Sequence, residues 1–169
     1  DHVDENAPLY MGFKSAYKNN QASEDRVTIG AGPFAGGTTQ HVSKLSLNLN
    51  QWYEQDSRFQ RVGKMYAPHH AKADLVEGVG DNLGTDSRVD EAGDPRETAR
   101  RDGMVGHAQK MATAREDDEP VILRRDFDST NGGASVHFVS VQESIGDFVA
   151  TREAMNGTDL AAETAVSTR

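Results

Sequence analysis

The stretch Val121-Ile122-Leu123-Arg124-Arg125-Asp126-Phe127, then Ser129-Thr130-Asn131-Gly132-Gly133, then Ala134-Ser135-Val136-His137-Phe138-Val139-Ser140-Val141-Gln142 decides the fold. Two runs rich in β-branched and aromatic residues flank a glycine-bearing turn, the pattern of a β-hairpin. The second run is apolar on both faces (Val136, Phe138, Val139, Val141), which predicts a central strand. After it, Ser144 and Asp147 form a capping-box pattern. Ile145, Phe148, Val149 and Met155 make a helical stripe, and Asn156-Gly157 stops it.

Working toward the N-terminus, a second set of elements precedes this one. Val27-Thr28-Ile29 reads as a short strand entering the turn Gly30-Ala31-Gly32-Pro33-Phe34-Ala35-Gly36-Gly37. A longer strand over residues 38–50 alternates Leu45, Leu47 and Leu49 with polar residues, predicting one buried and one wet face. Asn50 reads as an N-cap, with Trp52, Phe59, Val62 and Tyr66 on one helical stripe that Pro68 ends. Residues 67–119 form a long, glycine-bearing acidic insertion in which only Met104–Ala114 reads as helix. The order strand–strand–helix, insertion, strand–strand–helix predicts an α+β fold: a ferredoxin-like antiparallel sheet with helices on one face. The domain spans residues 27–157, after an N-terminal segment 1–26 and before a tail 158–169.

The 169 residues carry 27 Asp+Glu against 18 Lys+Arg, a net charge of -9, which argues against a nucleic-acid groove. With no cysteine, disulfides, iron–sulfur clusters and thiolate catalysis are excluded. No run reaches the roughly 18 apolar residues of a membrane span. Asp (16) exceeds Glu (11) and Arg (12) exceeds Lys (6), a texture that resembles proteins of salt-loving organisms. The chain opens at Asp1 without an initiator Met, which points to a removed leader or a piece of a longer protein.

Several residues invite chemistry. The glycine run 30–37 lacks the GK[ST] ending and following helix of a phosphate loop. His69-His70 reads as a solvated loop pair whose rings point apart, and His41 and His137, in strands, read as hydrogen-bonded structural histidines. His107 sits in Gly106-His107-Ala108-Gln109-Lys110, between small residues that leave room for a flat cofactor. Arg124 and Arg125 must point to opposite faces of their strand, sending one guanidinium toward the buried side. There it is either a structural ion pair with an Asp or an anion-stabilising group.

An ordered set of segments resembles the second half of the dye-decolourising peroxidases, and closest its haloarchaeal-like branch. It comprises Met11-Gly12-Phe13-Lys14, residues 32–38, Asn50-Gln51-Trp52-Tyr53, Gly106-His107-Ala108-Gln109-Lys110, residues 121–127, residues 136–142 and Phe148-Val149. The resemblance covers roughly residues 9–157. It implies haem b held by His107 as its iron ligand and Arg124 as the distal arginine, seventeen positions later. It also implies peroxide-dependent one-electron oxidation of a small organic reductant. The family's distal Asp falls at Ser15, inside Lys14-Ser15-Ala16-Tyr17-Lys18-Asn19-Asn20, where Asn19 still matches the motif's Asn. Ser is a poor proton relay, so the resemblance implies slowed turnover unless Asp126 or Asp128 stands in.

The alternative is a structural or interaction domain of the same fold with a vestigial or empty haem pocket. Because only the second half of the family's two-domain pattern is visible, the resemblance implies that an N-terminal half, another chain or a homo-oligomer covers an apolar sheet face. It further implies a location outside the cytoplasm or at the cell surface, with the cytoplasm as the alternative.

Overall fold

The computed structural model describes residues 10–13, 20–72, 93–117 and 119–160, with the side chains of residues 71 and 72 left aside. The chain is α+β: an antiparallel three-stranded sheet with helices packed against it, an arrangement compatible with a ferredoxin-like fold. It divides into two compact units. A helical unit comprises Asp1–Lys18, Asn48–Thr113 and Ala154–Arg169, and a sheet unit comprises Asn19–Leu47 and Ala114–Glu153.

The sheet unit begins with α1 (Glu24–Val27), started by the Ser23 side chain accepting from the Arg26 N–H. Its strands β1 (Thr39–Ser46), β4 (Leu123–Ser129) and β5 (Ser135–Gln142) lie in the order β1-β5-β4, both pairs antiparallel. The hairpin and the central place of β5 are therefore as the sequence predicts. Two-residue strands β2 (Arg115–Glu116) and β3 (Glu119–Pro120) form a separate ribbon, tied to α1 by Arg26 Nη2–Glu116 Oε2 at 2.5 Å. Helix α6 (Ile145–Asn156) starts where Ser144 N–H donates to Asp147 Oδ2 at 3.0 Å, and Gly157 follows it at φ 64°. Phe148 of this helix stacks on His41 at 3.6 Å, so α6 covers the sheet face that carries His41, Phe138 and Ser140. Stacking, rather than the predicted hydrogen bond, gives His41 its structural role.

In the helical unit a π-helical turn (Gln51–Gln55) leads to α2 (Arg58–Met65) and α3 (Pro68–Lys72), followed by α4 (Pro95–Asp102) and α5 (His107–Ala112). Its core is Phe13, Trp52, Val62, Tyr66, Ala108 and Met111. Phe13 meets Trp52 and Tyr66 edge-on at 6.0 and 5.5 Å, the arrangement that aromatic quadrupoles favour.

Several sequence expectations need correction. Val27-Thr28-Ile29 is no strand: α1 ends at Val27, and Ile29 bonds across the glycine loop to Gly36 and Gly37. β1 is shorter than residues 38–50: its covered face alternates as expected through Thr39, His41 and Ser43, but Leu45 near its end is 37% exposed, and Leu47 and Leu49 lie beyond the strand. The single helix expected over 52–66 is broken at Asp56 (ψ 123°), where the Ser57–Gln60 capping box starts α2 afresh. Asn50 makes no side-chain cap, and Asn48 Oδ1 accepts from Gln51 N–H instead. Pro68 opens α3 rather than ending a helix, which suits its fixed φ. Among its described residues the insertion holds α3, α4 and α5 where one helix is expected. α4 has complete end signals: the Asp94 cap, Pro95 in the first turn and Gly103 at φ 69°.

Candidate functional site

His107 opens α5 in the helical unit and is exposed. Its neighbours face inward. A Cβ on Gly106 would lie 1.9 Å from the Tyr66 carbonyl oxygen, so only glycine fits, and Ala108 belongs to the core. The small flanks of His107 are thus explained by packing of α5 on α2, and they leave the imidazole on the outer side. Gln109, fully buried, fixes the turn beneath it. Its Oε1 accepts from Gly106 N–H at 3.1 Å and its Nε2 donates to Thr98 Oγ1 of α4 at 3.0 Å.

His69 and His70 are corrected in both respects: they lie in α3, His70 is 4% exposed, and the two ring centroids are 4.1 Å apart. His70 also meets Tyr66 edge-on at 6.2 Å, which makes it part of the packing. Among the described residues, no group of three or more His, Asp or Glu is placed to hold a metal ion. A haem iron takes one imidazole from the chain, and among the site residues that the resemblance implies His107 is the one that carries an imidazole.

Arg124 lies on β4 in the sheet unit. Alternation sends Arg124, Asp126 and Asp128 to one face and the exposed Arg125 to the other, as the paired arginines predict. The Arg124 register partner is Ser140, and that of Asp126 is Phe138, so both lie on the face that α6 covers. The Arg124 backbone N–H is held by Gln21 Oε1 at 2.7 Å. Burial pulls the Arg124 guanidinium below its ordinary value, with the neighbouring Asp126 acting against that. Burial pushes the Asp126 carboxyl above the usual carboxylate range. The Arg124 charge opposes this rise, and that of Asp128 reinforces it. A partly desolvated cation therefore sits two residues from a carboxyl that keeps its proton to higher pH than an exposed Asp.

His107 belongs to the helical unit and Arg124 with Asp126 to the sheet unit. Ser15 and Asn19, the remnants of the distal motif, lie outside the described residues. Sequence reasoning reached Asp126 only as one of two stand-ins; its i,i+2 spacing from Arg124 on a strand was the signal that singles it out. No helix among the described residues is long and apolar enough to cross a membrane.

The comparisons with known proteins yield one family. The chain belongs to the Family of unknown function (DUF7405), whose model matches residues 1–169. No curated protein and no solved structure matches it.

Proposed function

We propose that this member of a family of unknown function is a haem-binding protein of the dye-decolourising peroxidase type, catalysing peroxide-dependent one-electron oxidation of small organic reductants. The observation that carries the reading is the Arg124–Asp126 pair, a desolvated cation beside a carboxyl of raised pKa on one strand face. The assignment of His107 as iron ligand rests on the sequence resemblance and on its exposed place at the start of α5. Haem held there would supply the one-electron redox chemistry.

The chain's own residues then have two tasks. The Arg124 guanidinium offers a fixed positive charge, worth more in its partly desolvated setting than in water, to negative charge developing on an oxygen. Asp126 takes and returns a proton, the role that Ser15 fills poorly; such general acid–base help is worth about 10²–10⁴-fold.

The test begins with haem titration followed at the Soret band. His107→Ala is expected to lose stoichiometric binding, while His69→Ala keeps it; the buried His70 is unsuited as a control. Carboxyl NMR titration should place Asp126 above the ordinary range, and higher still in Arg124→Met, because the arginine charge opposes the rise. In the haem-loaded protein Asp126→Asn should slow peroxide consumption at least about tenfold, the low end of general acid–base effects. Haem binding unchanged in His107→Ala would overturn the ligand assignment, and unchanged peroxide consumption in Asp126→Asn would overturn the relay.

A further inference from the structure

The strand register sets four rows on the sheet face opposite α6, and the two in the middle form a patch between the Gln40–Val141–Leu123 and Ser46–Ser135–Ser129 rows. Val42, Val139 and Arg125 lie side by side across β1, β5 and β4, and Lys44, His137 and Phe127 form the next row. Val42 is 61% exposed and Phe127 56% exposed, although both stand on strands of the only three-stranded sheet among the described residues. Large apolar side chains left open on a regular sheet face mark a surface that something else covers.

The charges on this face run against those of the chain. The whole chain carries -9, yet these two rows contain no carboxylate and two cations, Lys44 and Arg125. Elsewhere Arg26, Lys64, Arg96 and Arg101 each pair with a carboxylate. Lys44 and Arg125 instead donate to the neutral carbonyls of Asn131 and Arg124. A neutral carbonyl leaves the net positive charge of each cation uncompensated. The two cations stand at diagonal corners of the patch, with the apolar residues at the other two. From strand spacing and rise, their Cα atoms are about 12 Å apart.

We propose that this face docks an acidic amphipathic helix of a partner protein, with apolar side chains seated on Val42, Val139 and Phe127 and carboxylates reaching Lys44 and Arg125. Two turns of helix separate residues by about 11 Å, which matches the diagonal of the patch. A covering surface of like charge would bury two cations against cations, whereas an acidic one joins burial of apolar area to opposite charge. A second copy of this chain fits less well, because symmetric pairing would set each copy's Lys44 and Arg125 against a patch of the same sign. The proposal does not depend on haem binding.

The test uses the full chain, isotope-labelled, titrated with a synthetic helical peptide of about 15 residues. Its leucines lie on one face, flanked by two glutamates two turns apart; a counterpart carries lysines in their place. The acidic peptide is expected to bind at least about tenfold more tightly than the basic one and to shift the amides of the six patch residues. In Lys44→Glu/Arg125→Glu, both exposed positions, that preference should vanish or reverse, with the far-UV dichroism unchanged. Equal binding of the two peptides, no binding, or shifts confined to another surface would overturn the proposal. So would stronger perturbation of the same amides by oligouridylate, which would make the face a nucleic-acid platform. Shifts of these amides that depend on protein concentration without peptide would also overturn it, in favour of self-association.

Discussion

Replacing Gly106 by Ala tests whether the start of α5, and with it His107, is set by a backbone-to-backbone approach. An added Cβ would lie 1.9 Å from the Tyr66 carbonyl oxygen, 2.4 Å from its carbon and 2.9 Å from Ala67 N. Real contacts of this kind need more than 3 Å, so the two backbones must separate by over an ångström. No rotamer change relieves the overlap, because every obstructing atom is main chain. Such a shift pulls Ala108 from the core and strains the bond between Gly106 N–H and Gln109 Oε1. Overpacking of interiors costs about 1–3 kcal/mol where side chains can yield; here they cannot, so the expected loss is at least about 3 kcal/mol. Gly103, three residues earlier, is the matched control. It sits at φ 69° with nothing within 4 Å of an added methyl, so its cost in Ala is backbone conformation alone, about 1 kcal/mol. The single tryptophan, Trp52, lies in the same core and reports its unfolding by fluorescence. At about 2–4 °C per kcal/mol for a chain of this size, Gly106→Ala should melt about 6–12 °C lower and Gly103→Ala about 2–4 °C lower. If the two variants melt together, the close approach of α5 to Tyr66 is not what demands glycine.

Asp56, buried, accepts from Lys64 Nζ at 2.6 Å and from Gln51 Nε2 at 3.1 Å, and the Lys64 bond foremost holds its pKa below the ordinary value. Its contribution is therefore full above the unfolded value of about 3.9 and fades as pH falls through the lower folded value. Urea melts should show Asp56→Asn less stable by about 2 kcal/mol at neutral pH, with the gap narrowing as pH falls below the unfolded carboxylate value; a gap that is constant with pH would refute the ion-pair account. With 27 acids against 18 bases, the melting temperature is expected to rise between dilute and molar potassium chloride as self-repulsion is screened, and a level or falling trend in scanning calorimetry would reject the halophilic reading.

Legibility in the sequence followed the range of the interactions. The β4–β5 hairpin and α6 were readable because their signals are local: a glycine turn, two strand patterns, and caps at Ser144 and Gly157. α4 had equally local signals at Asp94, Pro95 and Gly103, but the surrounding acids made the whole stretch read as insertion. The alternating leucines misled because only Leu45 lies in β1, one residue from its end, where the strand stops before Leu47 and Leu49. Gly106 and Ala108 misled in the opposite way. Their smallness reads as room for a ligand, while its cause is the Tyr66 backbone, forty residues away in sequence and invisible to any local pattern. The opposite facing of Arg124 and Arg125 needed only strand alternation, but the raised pKa of Asp126 required knowing which face is covered.

The interleaving of the two units bears on the order in which the chain folds. It passes between them after Lys18, Leu47, Thr113 and Glu153, so the segment Asn48–Thr113 separates β1 from the rest of its sheet. β4 meets β5 through a turn that pairs Ser129 with Ser135, whereas Thr39 must find Gln142 across 103 residues. Loop-closure entropy makes the first pairing fast and the second late. Until β1 arrives, β5 has an unpaired edge lined with valines, the kind of template on which chains add to one another. Pulse-labelled hydrogen exchange should find the hairpin amides protected before those of β1; simultaneous protection would mean that the helical segment closes first and delivers β1 to an already waiting edge.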